Sequence, residues 1–172
     1  MTNLIWEPRS LAPWLSNSFI PELRGAPIGF AFQTALSVGS RKVDASAYLR
    51  ERRVVLDAAL SRSELQRVTV HELFHFVWWR LGNPARWSWG ALIATERARG
   101  EAGWSAEWRK QALTGADRRN KTRRWREYVC EAFCDSAAAI YAGPGQVTLA
   151  PRFLARRRAW FVATLEGRPL SI

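Results

Sequence analysis

The first 27 residues scatter their apolar positions among Pro8, Pro13, Pro21 and Pro27, and no helical or strand period runs through them. That spacing predicts an irregular arm with at most short helical turns. Ile28–Ser37 (IGFAFQTALS) mixes aromatic, β-branched and small residues and predicts a strand. Arg53–Leu56 (RVVL) predicts a second, with Tyr48–Leu49 just before it as a candidate to join the sheet. Ser61-Arg-Ser-Glu64 then has capping-box spacing, in which the serine and the glutamate satisfy each other's free backbone N–H groups. It opens a long helical run to Leu81, and Gly82-Asn83-Pro84 stops it. Val68, Val70, Leu73, Phe74, Phe76, Val77, Trp78, Trp79 and Leu81 make this helix apolar nearly all round, which is the pattern of a buried helix.

From Pro84 to Arg126 the chain becomes rich in Trp and Arg, and its glycines break it into short pieces, as in an insertion or a flap over residues 84–126. A second strong helix is expected from about Lys121 to Tyr141, stopped by Gly143-Pro144-Gly145. Pro151 at a first helical position opens a third, ending near Gly167. Its Phe153, Leu154, Trp160, Phe161 and Leu165 form an apolar stripe opposite Arg152 and Arg156–Arg158. These elements predict an α+β fold: a small N-terminal sheet on the buried helix, a second long helix, and a C-terminal amphipathic helix. At 172 residues the chain is expected to be one domain.

Composition narrows the class without naming a function. Hydrophobic residues make up 48% and charged residues 24%, which excludes disordered, collagen-like and low-complexity chains. The 26 Lys and Arg against 15 Asp and Glu give a net charge of +11, which fits an acidic protein, a nucleic acid or an anionic surface as partner. The N-terminus has no signal-peptide pattern, and no stretch approaches the length of an apolar membrane span. Cys130 and Cys134 are the only cysteines and form no disulfide framework, so a reduced, cytoplasmic chain is expected.

The scarce residues change the picture more. Both histidines of the protein sit in His71-Glu72-Leu-Phe-His75, an H-E-x-x-H sequence inside the buried helix. On a helix, side chains four apart share a face, so both imidazoles can reach one ion, with Glu72 beside them to act as base toward a water on that ion. Two histidines and a glutamate in an apolar helix need partners, and a metal supplies one. Imidazole and carboxylate ligands with an open position describe a catalytic zinc site, so Zn2+ is the expected cofactor.

No third histidine exists, so the remaining ligand must be Glu, Asp or Cys. Glu127, Glu131 and Asp135 recur every four residues on the second long helix and share one face, where they repel unless a cation lies among them. Cys130 and Cys134 lie on the same helix; either completes a His/His/Cys set, or both are small buried core residues.

His71-Glu72-x-x-His75 followed by Glu131-Ala-Phe-Cys-Asp135 resembles the gluzincin metallopeptidases, the thermolysin-like clan, and especially its small single-domain members. The resemblance implies a single zincin-like domain over residues 1–172, with His71, His75 and Glu131 on zinc and Glu72 as general base. It also implies that Asp135 orients a ligand histidine from the second shell of the metal. Glu127-x-x-Cys130-x-x-Phe133-Cys134 is similar, more weakly, to the ligand helix of ImmA/IrrE-type peptidases, which implies Glu127 as the alternative ligand. The match covers about residues 50–142 and is sharp at five positions.

Gluzincins usually supply a Tyr or His to stabilise the oxyanion. Here only Tyr48, Tyr128 and Tyr141 are available, so the role falls to one of these, to an Arg, or to nothing. The expected activity is hydrolysis of peptide bonds in a protein or peptide substrate, with Arg53–Asp57 as the strand edging the cleft. The alternative is a catalytically silent binding module that applies its Arg-rich segment, Arg118 to Arg126, to an acidic protein or a nucleic acid. For the peptidase, the proline-rich arm, residues 1–27, is a candidate inhibitory segment lying across the cleft.

Overall fold

The computed structural model describes residues 5–6, 15, 20–96, 103–142 and 149–172. In chain order the elements are β1 (Ile5–Trp6), β2 (Leu23–Arg24), β3 (Gly29–Gln33), β4 (Ser37–Val38), β5 (Arg41–Lys42), β6 (Ala45–Tyr48) and β7 (Arg53–Asp57). They continue with α1 (Arg62–Arg80), α2 (Asn83–Ala94), α3 (Ala106–Gln111), α4 (Gly115–Asn120), α5 (Arg123–Tyr141), α6 (Pro151–Leu165) and β8 (Leu170–Ser171). The fold is α+β in one domain, as the residue pattern predicts.

The main sheet has the order β1-β3-β7-β6. β3 runs parallel to β7, with Gly29 opposite Arg53 and Gln33 opposite Asp57, while β6 pairs antiparallel, Ala45 opposite Leu56 and Tyr48 opposite Arg53. Two features depart from the expected picture. Arg53–Asp57 is an interior strand with neighbours on both sides, so it does not edge the cleft; β6 is the outer strand. The arm also contributes strand pairing: β1 extends the sheet beyond β3, and β2 pairs in parallel with β8, so that the last residues hydrogen-bond to Glu22 and Arg24. β1 occupies the edge of the sheet opposite β6; most of the remaining arm lies outside the described residues.

α1 begins where the capping box places it: the Ser61 side chain accepts from the Glu64 N–H, and Glu64 returns the bond to the Ser61 N–H at 3.0 Å. The helix lies between two cores. Leu65, Val68, Leu73 and Phe76 pack on Ile28, Phe30, Val54 and Leu56 of the sheet side. Val70, Phe74 and Val77 face the other way, into a core with Trp89, Phe133, Ala137 and Phe161. Facing neighbours on both flanks, α1 needs apolar residues all round, which explains the absence of an amphipathic period.

Among its described residues the Trp/Arg-rich stretch forms α2, α3 and α4. Trp89 of α2 is fully buried and donates its indole N–H to the Val129 carbonyl at 3.0 Å, whereas Trp87 is 71% exposed. α5 starts at Arg123 rather than Lys121, because Lys121 adopts the left-handed conformation that closes α4 (φ 51°), and Thr122 caps α5. In α6 the apolar stripe packs as expected, but Arg157 does not lie on the solvent face with Arg156 and Arg158. It is fully buried, and its guanidinium binds both Glu96 oxygens and the Ser136 hydroxyl. No helix among the described residues is long and apolar enough to cross a membrane.

Candidate metal centre

Between its two packed faces α1 turns a third toward a cleft of about 640 Å³. His71 and His75 fall on it, their ring centroids 5.0 Å apart and their planes at 74°. Glu72 lines the same cleft beside them. The opposite wall comes from β6, whose Ala45, Ser46 and Ala47 line it, and the third side from α3 and α5.

α5 packs on α1 so that two of its carboxylates meet the histidines. His71 Nε2 stands 3.2 Å from Glu131 Oε2, and His71 Nδ1 stands 2.9 Å from Asp135 Oδ1. Asp135 is fixed further by the Ala106 backbone N–H at 2.8 Å. The Ser105 hydroxyl bridges the pair, 2.5 Å from Glu131 Oε2 and 3.1 Å from Asp135 Oδ1. Close approach of this segment needs Gly103: it has φ 85°, and a Cβ there would come within 3.0 Å of the Asp135 Cβ. Arg109, on α3, forms an ion pair with Glu131 Oε1 at 3.0 Å and donates to the Ser105 carbonyl at 3.0 Å.

Glu127 stays outside the cluster. Its carboxylate is 48% exposed and pairs with Arg123 at 2.7 Å, an ordinary surface pair one helical turn apart. The acidic face expected from the four-residue spacing therefore splits, with Glu131 and Asp135 facing inward. Cys130 Sγ lies 3.5 Å from His75 Nδ1, and Cys134 is fully buried behind it. His71, His75 and Cys134 each offer a ligand atom within 4.8 Å of the others.

The electrostatics follow from these contacts. Burial alone pushes the His71 imidazole down, but Asp135 and Glu131 outweigh it and hold it well above the usual histidine range. His75 is likewise lowered by burial, yet the Cys130 sulfur and Glu131 raise it to about 9. For Glu131 burial works upward, and the His71 hydrogen bond, the two imidazoles and Arg109 bring it well below the ordinary carboxylate range. The hydrogen bond from Cys134 and the nearby His75 bring Cys130 down to about 6, against burial, whereas burial drives Cys134 well above the usual thiol value. The cluster therefore sets two imidazoles raised by their neighbours against a carboxylate and a thiol that those imidazoles lower.

Sequence reasoning did not single out Ser105, Arg109 or Gly103. They lie in a run of short pieces with no period, and only their contacts to Glu131 and Asp135 mark them. No protein-family model, curated protein or solved structure matches this chain. The residues and their geometry alone carry its functional assignment.

Proposed function

We propose that this chain is a zinc-dependent peptidase in which His71, His75 and Glu131 bind the ion and Glu72 is the general base. One observation carries it: His71 places Nδ1 2.9 Å from Asp135 Oδ1 and presents Nε2 toward Glu131 at 3.2 Å. Two ligand atoms about 2.0–2.1 Å from a tetrahedral zinc stand about 3.3 Å apart. A carboxylate on the far nitrogen is the usual device for orienting a histidine ligand, and it gives Asp135 its role. Cys130 occupies the matching place on His75, which leaves Nε2 of that ring for the metal.

Glu131 is preferred to Cys134 as third ligand because Glu131 lines the open cleft, while Cys134 is sealed in the core with its thiol held protonated by burial. Glu127, paired with Arg123 at the surface, takes no part. A bound zinc supplies Lewis-acid activation of water and of the scissile carbonyl. Glu72 takes the proton that the attacking water loses as its oxygen bonds to the carbonyl carbon, then passes it to the amine nitrogen as the C–N bond breaks. An extended peptide adding to the outer edge of β6 runs past both histidines, which makes an unfolded or flexible protein segment the substrate.

Metal analysis and a peptide-cleavage assay test this together. The wild type is expected to hold one zinc, Glu131→Gln to lose it, Glu127→Gln to keep it, and Glu72→Gln to keep zinc while losing hydrolysis. Zinc retained by Glu131→Gln and lost by Cys134→Ala would move the ligand to the thiol; no zinc in the wild type would end the reading. The second reading, a silent binding module, rests on the exposed side chains of Arg119, Lys121, Arg123, Arg124 and Arg126. It predicts salt-sensitive nucleic-acid or acidic-protein binding that survives Glu72→Gln.

A further inference from the structure

Peptide hydrolysis needs a donor for the negative charge that grows on the carbonyl oxygen, and a tyrosine or histidine beside the metal is a common choice. Neither serves here. Both histidines are placed as metal ligands, and no tyrosine is among the residues lining the cleft. Tyr48 lies under the Arg53 guanidinium, 4.6 Å from its ring centre, Tyr128 is fully buried, and Tyr141 stacks on Phe74 in the core. Among the cleft residues the donors with a full positive charge are Lys42 and Arg109. Lys42 is an exposed side chain on the short β4–β5 ribbon.

Arg109 is held in place on three sides. Its guanidinium stacks on Trp108 at 4.2 Å, donates to the Ser105 carbonyl, and forms an ion pair with Glu131 Oε1. The width of one carboxylate separates it from His71, because Glu131 touches Arg109 through Oε1 and His71 through Oε2. A guanidinium has five N–H donors in a fixed fork, and these two contacts leave others for a group in the cleft.

We propose that Arg109 is a catalytic residue of this site, the donor that stabilises the oxyanion formed when water adds to the scissile carbonyl. This rests on the peptidase reading above. As the water oxygen bonds to the carbonyl carbon, the C=O pair moves onto oxygen and Glu72 holds the water's proton; Arg109 donates to that oxygen without losing its own proton. When the carbonyl re-forms, the C–N bond breaks and the amine leaves with the proton from Glu72. Because arginine stays charged throughout the working range, the donor sets no alkaline limit on the rate, unlike a tyrosine or histidine in the same role.

The test compares wild type, Arg109→Ala, Arg109→Lys and Arg109→Met, each zinc-loaded. Four quantities are read: zinc content, peptide kcat and KM, affinity for a phosphinic peptide that mimics the tetrahedral state, and affinity for a hydroxamate that binds metal without mimicking it. The expected result is full zinc in every variant and a kcat about 100- to 1000-fold lower in Arg109→Ala with KM within about threefold. Phosphinic-peptide affinity should fall about 100-fold while hydroxamate affinity holds, and added guanidinium should restore part of the Arg109→Ala rate. Loss of zinc together with activity in Arg109→Ala would make Arg109 a positioning residue for Glu131 and overturn the proposal. So would a variant that binds both inhibitors and turns over like wild type. A zinc-loaded wild type that neither cleaves peptides nor binds the phosphinic peptide refutes the peptidase reading itself, an outcome distinct from failure of Arg109 alone.

Discussion

Arg157 and Glu96 form an ion pair with no solvent exposure on either side chain, and it joins α6 to the end of α2. Taking two charges out of water is repaid only by close mutual contact, so removing one partner leaves the other buried and uncompensated, at a cost of about 3–5 kcal/mol. Arg157→Met is expected to lose about that much. Ser136 does not add greatly to the loss, because its hydroxyl keeps its donor bond to the Ala132 carbonyl at 2.6 Å. Glu96→Leu should be similarly damaging, since it strands the guanidinium. The double variant Arg157→Met/Glu96→Leu removes both charges and fills the space with apolar atoms, so it should lie within about 2 kcal/mol of wild type. The cycle therefore predicts a coupling energy of several kcal/mol, read by urea denaturation of the metal-free protein. For a chain of this length, the single losses correspond to melting temperatures lower by roughly 6–20 °C. Additive single and double effects would refute the claim that these residues act as one buried unit.

The remaining expectations concern the site and its supports. Gly103→Ala forces a side chain into the left-handed region against Asp135, so it should lose about 1–2 kcal/mol and weaken zinc binding about 10- to 100-fold; melting curves and chelator competition measure the two effects separately. His75 is raised to about 9 in the metal-free fold against about 6.5 when unfolded. Its contribution to metal-free stability is therefore complete below pH 6.5 and lost as pH rises toward 9, while zinc, which must displace that proton, binds more tightly over the same window. Calorimetry in two buffers of different ionisation enthalpy should show proton release on zinc binding, and none released would contradict it. Thr122 accepts from the Trp125 N–H and donates to Asp117 at 2.6 Å, so Thr122→Ala should destabilise α5 by about 1 kcal/mol and Thr122→Ser by much less, by chemical denaturation.

The candidate site residues were legible because helical spacing is strict: His71 and His75 share a face on any helix, and Glu131 and Asp135 share one on another. The capping box at Ser61 and the breaker at Gly82 fixed the first helix by local chemistry in the same way. What escaped depends on contacts between elements distant in sequence. Ala45–Tyr48 is short, mixed in polarity and only half-buried, so only its last residue, within the candidate Tyr48–Leu49, pointed to the sheet, and Arg53–Asp57 reads as the edge without its partners on both sides. Arg157 sits in a row of three arginines, and no period distinguishes it from its exposed neighbours; Glu96, 61 residues earlier in the chain, does. Glu127 shares the spacing of Glu131, but an arginine four residues before it draws it to the surface.

α1 has a further consequence for how the molecule tolerates change. A surface helix has a stripe where substitutions go unnoticed, and new properties can accumulate there. From Val68 to Val77 α1 has no such stripe, because every position is buried except His75, which faces the cleft. Each residue is held by the sheet, by the helical core or by the candidate metal centre. Such a helix is closed to drift, and repacking one flank shifts the other. Variation in what the cleft admits is thereby confined to the rim, to β6 and α3, where short elements can alter without moving the two histidines.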